Sequence, residues 1–243
     1  MSFDPAVFGE GFHRFVEMEF DLFGTTLAPF FHIASLIVLL LVFCMGNRVR
    51  TVFTAYFALN WLFLFGYWGV FGVIYWAGIG VVYLLVFLAA PVLLAFIAFF
   101  WVRELFRKSI DLDYRQTAGY RWAVLPVLVW GFWYPFYQYG QGFTLNVSDL
   151  LFSYYGLMPC PTTMVVLSLF TLNYPRGNRV LFRLMAIYAV LIGTATVLTG
   201  WLPDIPFIVI GLYAFGLMLF ERKSRPQNIG GKSFSDINGG EGN

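Results

Sequence analysis

Pro159-Cys160-Pro161-Thr162-Thr163 sets a thiol and two hydroxyls beside two prolines, inside a run apolar enough to cross a bilayer. Each proline removes a backbone donor and crowds the preceding turn. A spanning helix would therefore break here and leave the carbonyls of 155–158 without helical partners. Broken helices persist in membranes only where protein or a water-lined cavity surrounds them. Three chemistries fit the segment. It could be a kinked packing helix in which Cys160 is a small buried hydrophobe. It could be a solute or cation site, built from the freed carbonyls and the hydroxyls of Thr162 and Thr163. It could also be a redox or soft-metal thiolate. Against the last, exchange chemistry needs a resolving thiol, and Cys44 falls at the opposite end of its own span.

His32 is the ionisable side chain expected to face the core of a span, which makes it a candidate for substrate contact. Its plain reading is a neutral imidazole bonded to a neighbouring hydroxyl or carbonyl. Glu10, His13 and Glu17 recur at i, i+3 and i+7, so three ligand-type side chains share one side of a helix. With His32 they could hold a metal ion; the plain reading is the solvated face of an amphipathic helix. No acidic residue is expected inside a span, so His32 alone would have to serve proton coupling. No phosphate loop, His-Glu-x-x-His pair or serine elbow is present, and no cofactor is implied.

The elements that must position these residues are membrane helices. Hydrophobic residues make up 60% of the chain and charged ones 12%, about half the charge of a soluble domain. A net charge of +2 gives no footprint for nucleic acid. Two cysteines make neither a disulfide framework nor a four-ligand zinc site. The first residues lack a basic region before an apolar run, so no cleavable signal peptide is expected.

Residues 1–24 form an amphipathic segment, with Asp4-Pro5 a natural helix start. Phe8, Phe12, Phe15 and Phe23 share one side, which predicts a helix lying flat in the headgroup region. The transmembrane domain is 25–220, and the Gly- and Asn-rich tail, 221–243, is expected to be disordered. Apolar windows of spanning length predict seven helices, at 25–45, 51–70, 80–102, 122–139, 150–172, 180–200 and 205–220. Six spans with a re-entrant segment at Cys160 is the rival. Seven spans put fourteen of the fifteen Lys and Arg residues on one face, with Arg14 alone on the other. That face is cytoplasmic, so the N-terminus is outside and the C-terminus inside.

Gly46-Asn47-Arg48-Val49 recurs as Gly177-Asn178-Arg179-Val180, each copy in a short cytoplasmic turn. Spans one to three and five to seven also run in the same directions. The pattern is that of a 3+1+3 parallel repeat, a transporter architecture with its site between the repeats. The plain alternative is a favourable turn sequence used twice.

The stretch Tyr155-Gly156-Leu157-Met158-Pro159-Cys160-Pro161-Thr162-Thr163 resembles a motif of an uncharacterised, domain-of-unknown-function family of small polytopic bacterial membrane proteins. The resemblance implies an all-α inner-membrane protein and brings no activity, ligand or catalytic residue with it. The sequence is therefore read as a small-solute or ion transporter with its site at Pro159–Thr163. The alternatives are a non-catalytic membrane subunit or assembly factor, and a thiol- or metal-handling protein using Cys160. Expected partners are the bilayer, the solute, and a further membrane protein or second copy of the chain.

Overall fold

The structure, a computed structural model, describes residues 4–115, 117–138, 142–144, 146–147 and 149–224. It is all-α apart from one small hairpin. Helix α1 (Pro5–Phe23) starts as its sequence predicts: the Asp4 side chain accepts from the Ala6 amide at 2.9 Å, with proline in the first turn. Its apolar stripe does not lie open to lipid. Phe8 stacks on Trp76 with ring centroids 4.6 Å apart, and Phe15 stacks on Tyr67 at 4.9 Å. The stripe that a membrane surface would take is taken by the protein itself.

A single 3-10 turn, Gly46–Val49, joins α2 (Leu27–Met45) to α3 (Arg50–Leu64). Helix α3 continues through a π-helical segment, Phe65–Phe71, into α4 (Gly72–Ile79). After Gly80 come α5 (Val81–Phe87) and α6 (Ala89–Arg107). They are parted at Leu88, where Pro91 has no amide to offer the carbonyl four residues back. A 3-10 turn, Gly119–Val124, leads into α7 (Leu125–Trp133). The hairpin of β1 (Phe136–Gln138) and β2 (Gly142–Thr144) follows, with Phe136 opposite Thr144. Then come α8 (Asp149–Phe152), a non-helical stretch, α9 (Pro159–Asn173), α10 (Arg179–Leu198), a 3-10 turn at Leu202–Asp204, and α11 (Ile205–Ser224).

Among the described residues, four helical stretches are long and apolar enough to cross a membrane: Leu27–Ile79, Val81–Arg107, Arg179–Leu198 and Leu202–Phe220. The turn at Gly46–Val49 folds the first of them into two rods. The expected fourth and fifth spans are shorter than their apolar windows. Helix α7 stops at Trp133 because Tyr134 turns left-handed, at φ +34°, ahead of Pro135. The window 150–172 divides into α8 and α9. The 15 residues of α9 extend about 22 Å, short of the ~30 Å hydrocarbon core.

Helix α9 is the centre of the bundle. Every residue from Pro159 to Asn173 is buried except Phe170, and α7, α10 and α11 all pack on it. A helix apolar on all sides belongs inside a protein. Gly131 lets α7 come against it: a Cβ there would lie 2.7 Å from that of Met164. The outer helices turn large apolar side chains such as Phe30, Leu59, Phe99 and Leu212 outward. Helix α11 runs into the expected tail as far as Ser224; residues 225–243 lie outside those described.

Candidate functional site

The segment 154–163 is a tight reversal. The amides of Leu157 and Met158 both donate to the Tyr154 carbonyl, at 3.1 and 2.8 Å. Gly156 turns at φ +81°, and a Cβ there would stand 2.4 Å from that of Phe31, so glycine is required. Pro159 and Pro161 then fall in the first turn of α9, where no amide has a helical partner to lose. The prolines start this helix and do not break one.

Three of the four carbonyls expected to be free are accordingly occupied by the protein. Gly156 O accepts from Asn60 Nδ2 at 2.8 Å, Leu157 O from Trp68 Nε1 at 3.2 Å, and Met158 O from Thr162 Oγ1 at 3.0 Å. Thr162 also accepts from the Gly156 amide at 3.1 Å, and Thr163 donates to Pro159 O at 2.6 Å. Both threonines are buried and their hydroxyls serve the backbone. Pro159 and Cys160 have a different setting.

They line a cavity of about 60 Å³ between α1, α5, α6, α9 and α10. Phe8, Phe12, Trp68, Phe87, Tyr188 and Ile192 form most of its wall, and Thr196 joins Cys160 at the polar end. Behind those two lies Asp204, fully buried. One of its oxygens accepts from Tyr134 Oη at 2.6 Å and the other from Thr196 Oγ1 at 2.6 Å, and the Cys160 side chain is close by. Tyr134 in turn accepts from Trp201 Nε1 at 2.6 Å. Trp130 Nε1 fixes the turn through Pro203 O at 3.0 Å. The two hydroxyl donors offset the cost of burying the carboxyl group.

A second carboxyl, Glu19, is buried on the α1 side. Trp68 Nε1 stands 2.9 and 3.0 Å from its two oxygens. Burial pushes this carboxyl well above the usual carboxylate range, with the Trp68 N–H pulling the other way. Sequence reasoning missed both acids. A signal for Glu19 was there: it follows Phe12 and Phe15 by seven and four residues, on the apolar stripe of α1. Asp204 reads in sequence as a residue before a span, and only the fold shows that the turn holding it is covered.

His32 is buried away from the cavity. Nδ1 lies 2.8 Å from Ala28 O, and Nε2 lies 3.1 Å from Phe132 O and 3.0 Å from Ser153 Oγ. The ring thus ties α2 to the end of α7 and to the segment after α8, and it does not meet Cys160. Glu10, His13 and Glu17 line an open outer groove along α1 with Arg14 and Thr199. Among the described residues, no group of three His, Cys, Asp or Glu side chains could hold a metal ion. Glu10, His13 and Glu17 thus share one groove, while His32 is engaged elsewhere. His13 rests on Trp201, ring centroids 5.1 Å apart, and burial lowers its pKa against the pull of Glu17.

Both Gly-Asn-Arg-Val turns hold the end of α6 and the loop after it. Asn47 accepts from the Leu112 amide at 2.8 Å and donates to Asp111 at 2.9 Å, while Asn178 donates to buried Glu104 at 2.7 Å. Gly46 and Gly177 both have positive φ and both abut that loop, near Leu112 O and the Asp111 amide. Burial would raise the Asp111 carboxyl, but the Asp113 amide, Asn47 and two arginines outweigh it and hold the pKa low. These residues hold structure together.

No protein-family model, curated protein or solved structure matches the chain.

Proposed function

We propose that the protein is a multi-pass transporter of a small solute, with the cavity beside Cys160 as its binding chamber. In this reading the chain crosses the bacterial inner membrane seven times, N-terminus outside. The short helices α7 and α9 count as spans, α9 because the bundle encloses it and α7 because it packs along α9. The two Gly-Asn-Arg-Val turns mark a 3+1+3 repeat around α7. The motif shared with small polytopic membrane proteins is the entrance to α9.

The observation that carries the reading is the double use of one wall. Cys160 and Thr196 both line the cavity, and Thr196 at the same time donates to a buried carboxylate. A helix start facing a cavity at membrane depth is the setting in which transporters bind solute. Purely structural polar clusters have no need of a cavity, and intramembrane acids mark transport paths by default. Asp204 and Glu19 supply the titratable groups that His32 was expected to supply alone.

The test is flux in proteoliposomes. Neutral solutes, inorganic ions, short-chain carboxylic acids and short-chain amines are offered in turn, with and without an imposed pH gradient. Protein-dependent flux is expected for one of these classes. Asp204→Asn should remove its dependence on the pH gradient. Folded protein that passes none of the classes faster than empty liposomes contradicts the reading and favours a non-transporting subunit.

A further inference from the structure

The cavity has a direction. One side is closed by the buried start of α9, Pro159 and Cys160, and another by Phe8 and Phe12 of α1, both buried. Its remaining wall is made by α5 and α10, and there the lining residues are not covered. Val86 is 50% exposed, and Ala195 is exposed as well. Their neighbours on the same surface are apolar and outward-facing: Val81 and Leu85 on α5, Leu191 and Leu198 on α10. That is the surface a spanning helix presents to acyl chains. The mouth of the cavity therefore opens sideways, toward lipid.

The lining is mostly aliphatic and aromatic. Its exposed lip, Val86 and Ala195, carries no hydrogen-bonding side chain, and its polar side chains, Cys160, Thr196, Tyr188 and Trp68, are all buried. Thr196 Oγ1 is a donor already turned toward Asp204, and the Cys160 thiol lines the cavity with it. A ligand accepting hydrogen bonds could draw on either of them. A ligand that was polar throughout would meet no partners along the path and would lose its hydration there.

We infer that the chamber is loaded from the bilayer through the gap between α5 and α10, and that its ligand is a membrane-soluble amphiphile with a small hydrogen-bond-accepting head and an apolar body. The head sits against Cys160 and Thr196, and the body trails toward Val86 and Ala195. This rests on the transporter reading and narrows its substrate class.

Cys160 serves as the reporter, in the full chain carrying Cys44→Ser so that it is the single thiol. The probes are an uncharged alkyl methanethiosulfonate, which dissolves in the bilayer, and a sulfonate-bearing, membrane-impermeant methanethiosulfonate applied to each face of proteoliposomes. The alkyl reagent should modify Cys160, with the impermeant reagent slower by about tenfold or more from either side. Ala195→Phe narrows the mouth and should slow the alkyl reagent by about tenfold. Val86→Trp, from the opposite lip, should do the same if the first variant does not fold. Equal rates for the two reagents, or an alkyl rate unchanged by both mouth variants, would overturn lateral entry. Solute flux measured separately would still stand in that case, so failure here is distinguishable from failure of the transporter reading.

Discussion

Glu19 is the residue whose setting departs most from its intrinsic chemistry: an acid at 0% exposure with one indole N–H as its hydrogen-bond donor. Because burial raises its pKa, the native state keeps this proton to higher pH than the unfolded chain does. From the ordinary glutamate value, about 4.3, up to the raised one, the native protein binds more protons than the unfolded. Stability therefore falls as pH rises through that window. Glu19→Gln keeps the shape and an acceptor for Trp68 and removes the titration. Thermal unfolding of purified protein should show wild type losing more stability than Glu19→Gln between about pH 5 and about pH 8. Identical slopes for the two proteins would show that Glu19 does not hold the proton. The amphipathic pattern of α1 was legible, yet a pattern records which positions are apolar and not what covers them. An acid on the apolar side looked like noise until Trp68 was found above it.

At the scale of elements, the prolines before α9 show how one sequence signal supports opposite structures. Read within an unbroken apolar window, Pro159 and Pro161 break a helix and free carbonyls. In the fold the helix begins at Pro159, so Asn60, Trp68 and Thr162 hold those carbonyls instead. Replacing both prolines by alanine restores no helical hydrogen bond. It costs the lost stiffening of the unfolded chain, about 0.4–1 kcal/mol for each proline, and the packing of two buried rings. Protein carrying both changes should fold, with a drop in unfolding temperature and unchanged reactivity of Cys160. A large loss of folded protein would mean that the prolines do more than start the helix. The central importance of this stretch was legible from its composition. Its hydrogen-bond partners were not, because Asn60 and Trp68 lie about ninety residues earlier and nothing local announces them. The β1–β2 hairpin was missed for a similar reason: Phe136 and its neighbours continue an apolar run, and only Pro135 hints that α7 has ended.

For the whole molecule, the proposed topology follows from the distribution of basic residues and the packing of α7 along α9. In it the Lys108 side of the α6–α7 loop is cytoplasmic and the hairpin is outside. Single cysteines placed by Lys108→Cys and Phe143→Cys, both at exposed positions, should react with an impermeant thiol reagent from opposite faces of the membrane. Reaction of both from one face would remove α7 from the count of spans and leave six.

The account as a whole stands on the cavity being the path of the solute, and Cys160 allows that to be asked directly. In the Cys44→Ser protein, an alkyl methanethiosulfonate attached to Cys160 places its chain in the chamber, and a reducing agent removes it. Flux of whichever solute class the protein carries should stop on modification, return on reduction, and be indifferent to the reagent in Cys160→Ser. Complete modification of Cys160 with flux unchanged would contradict the assignment of the chamber.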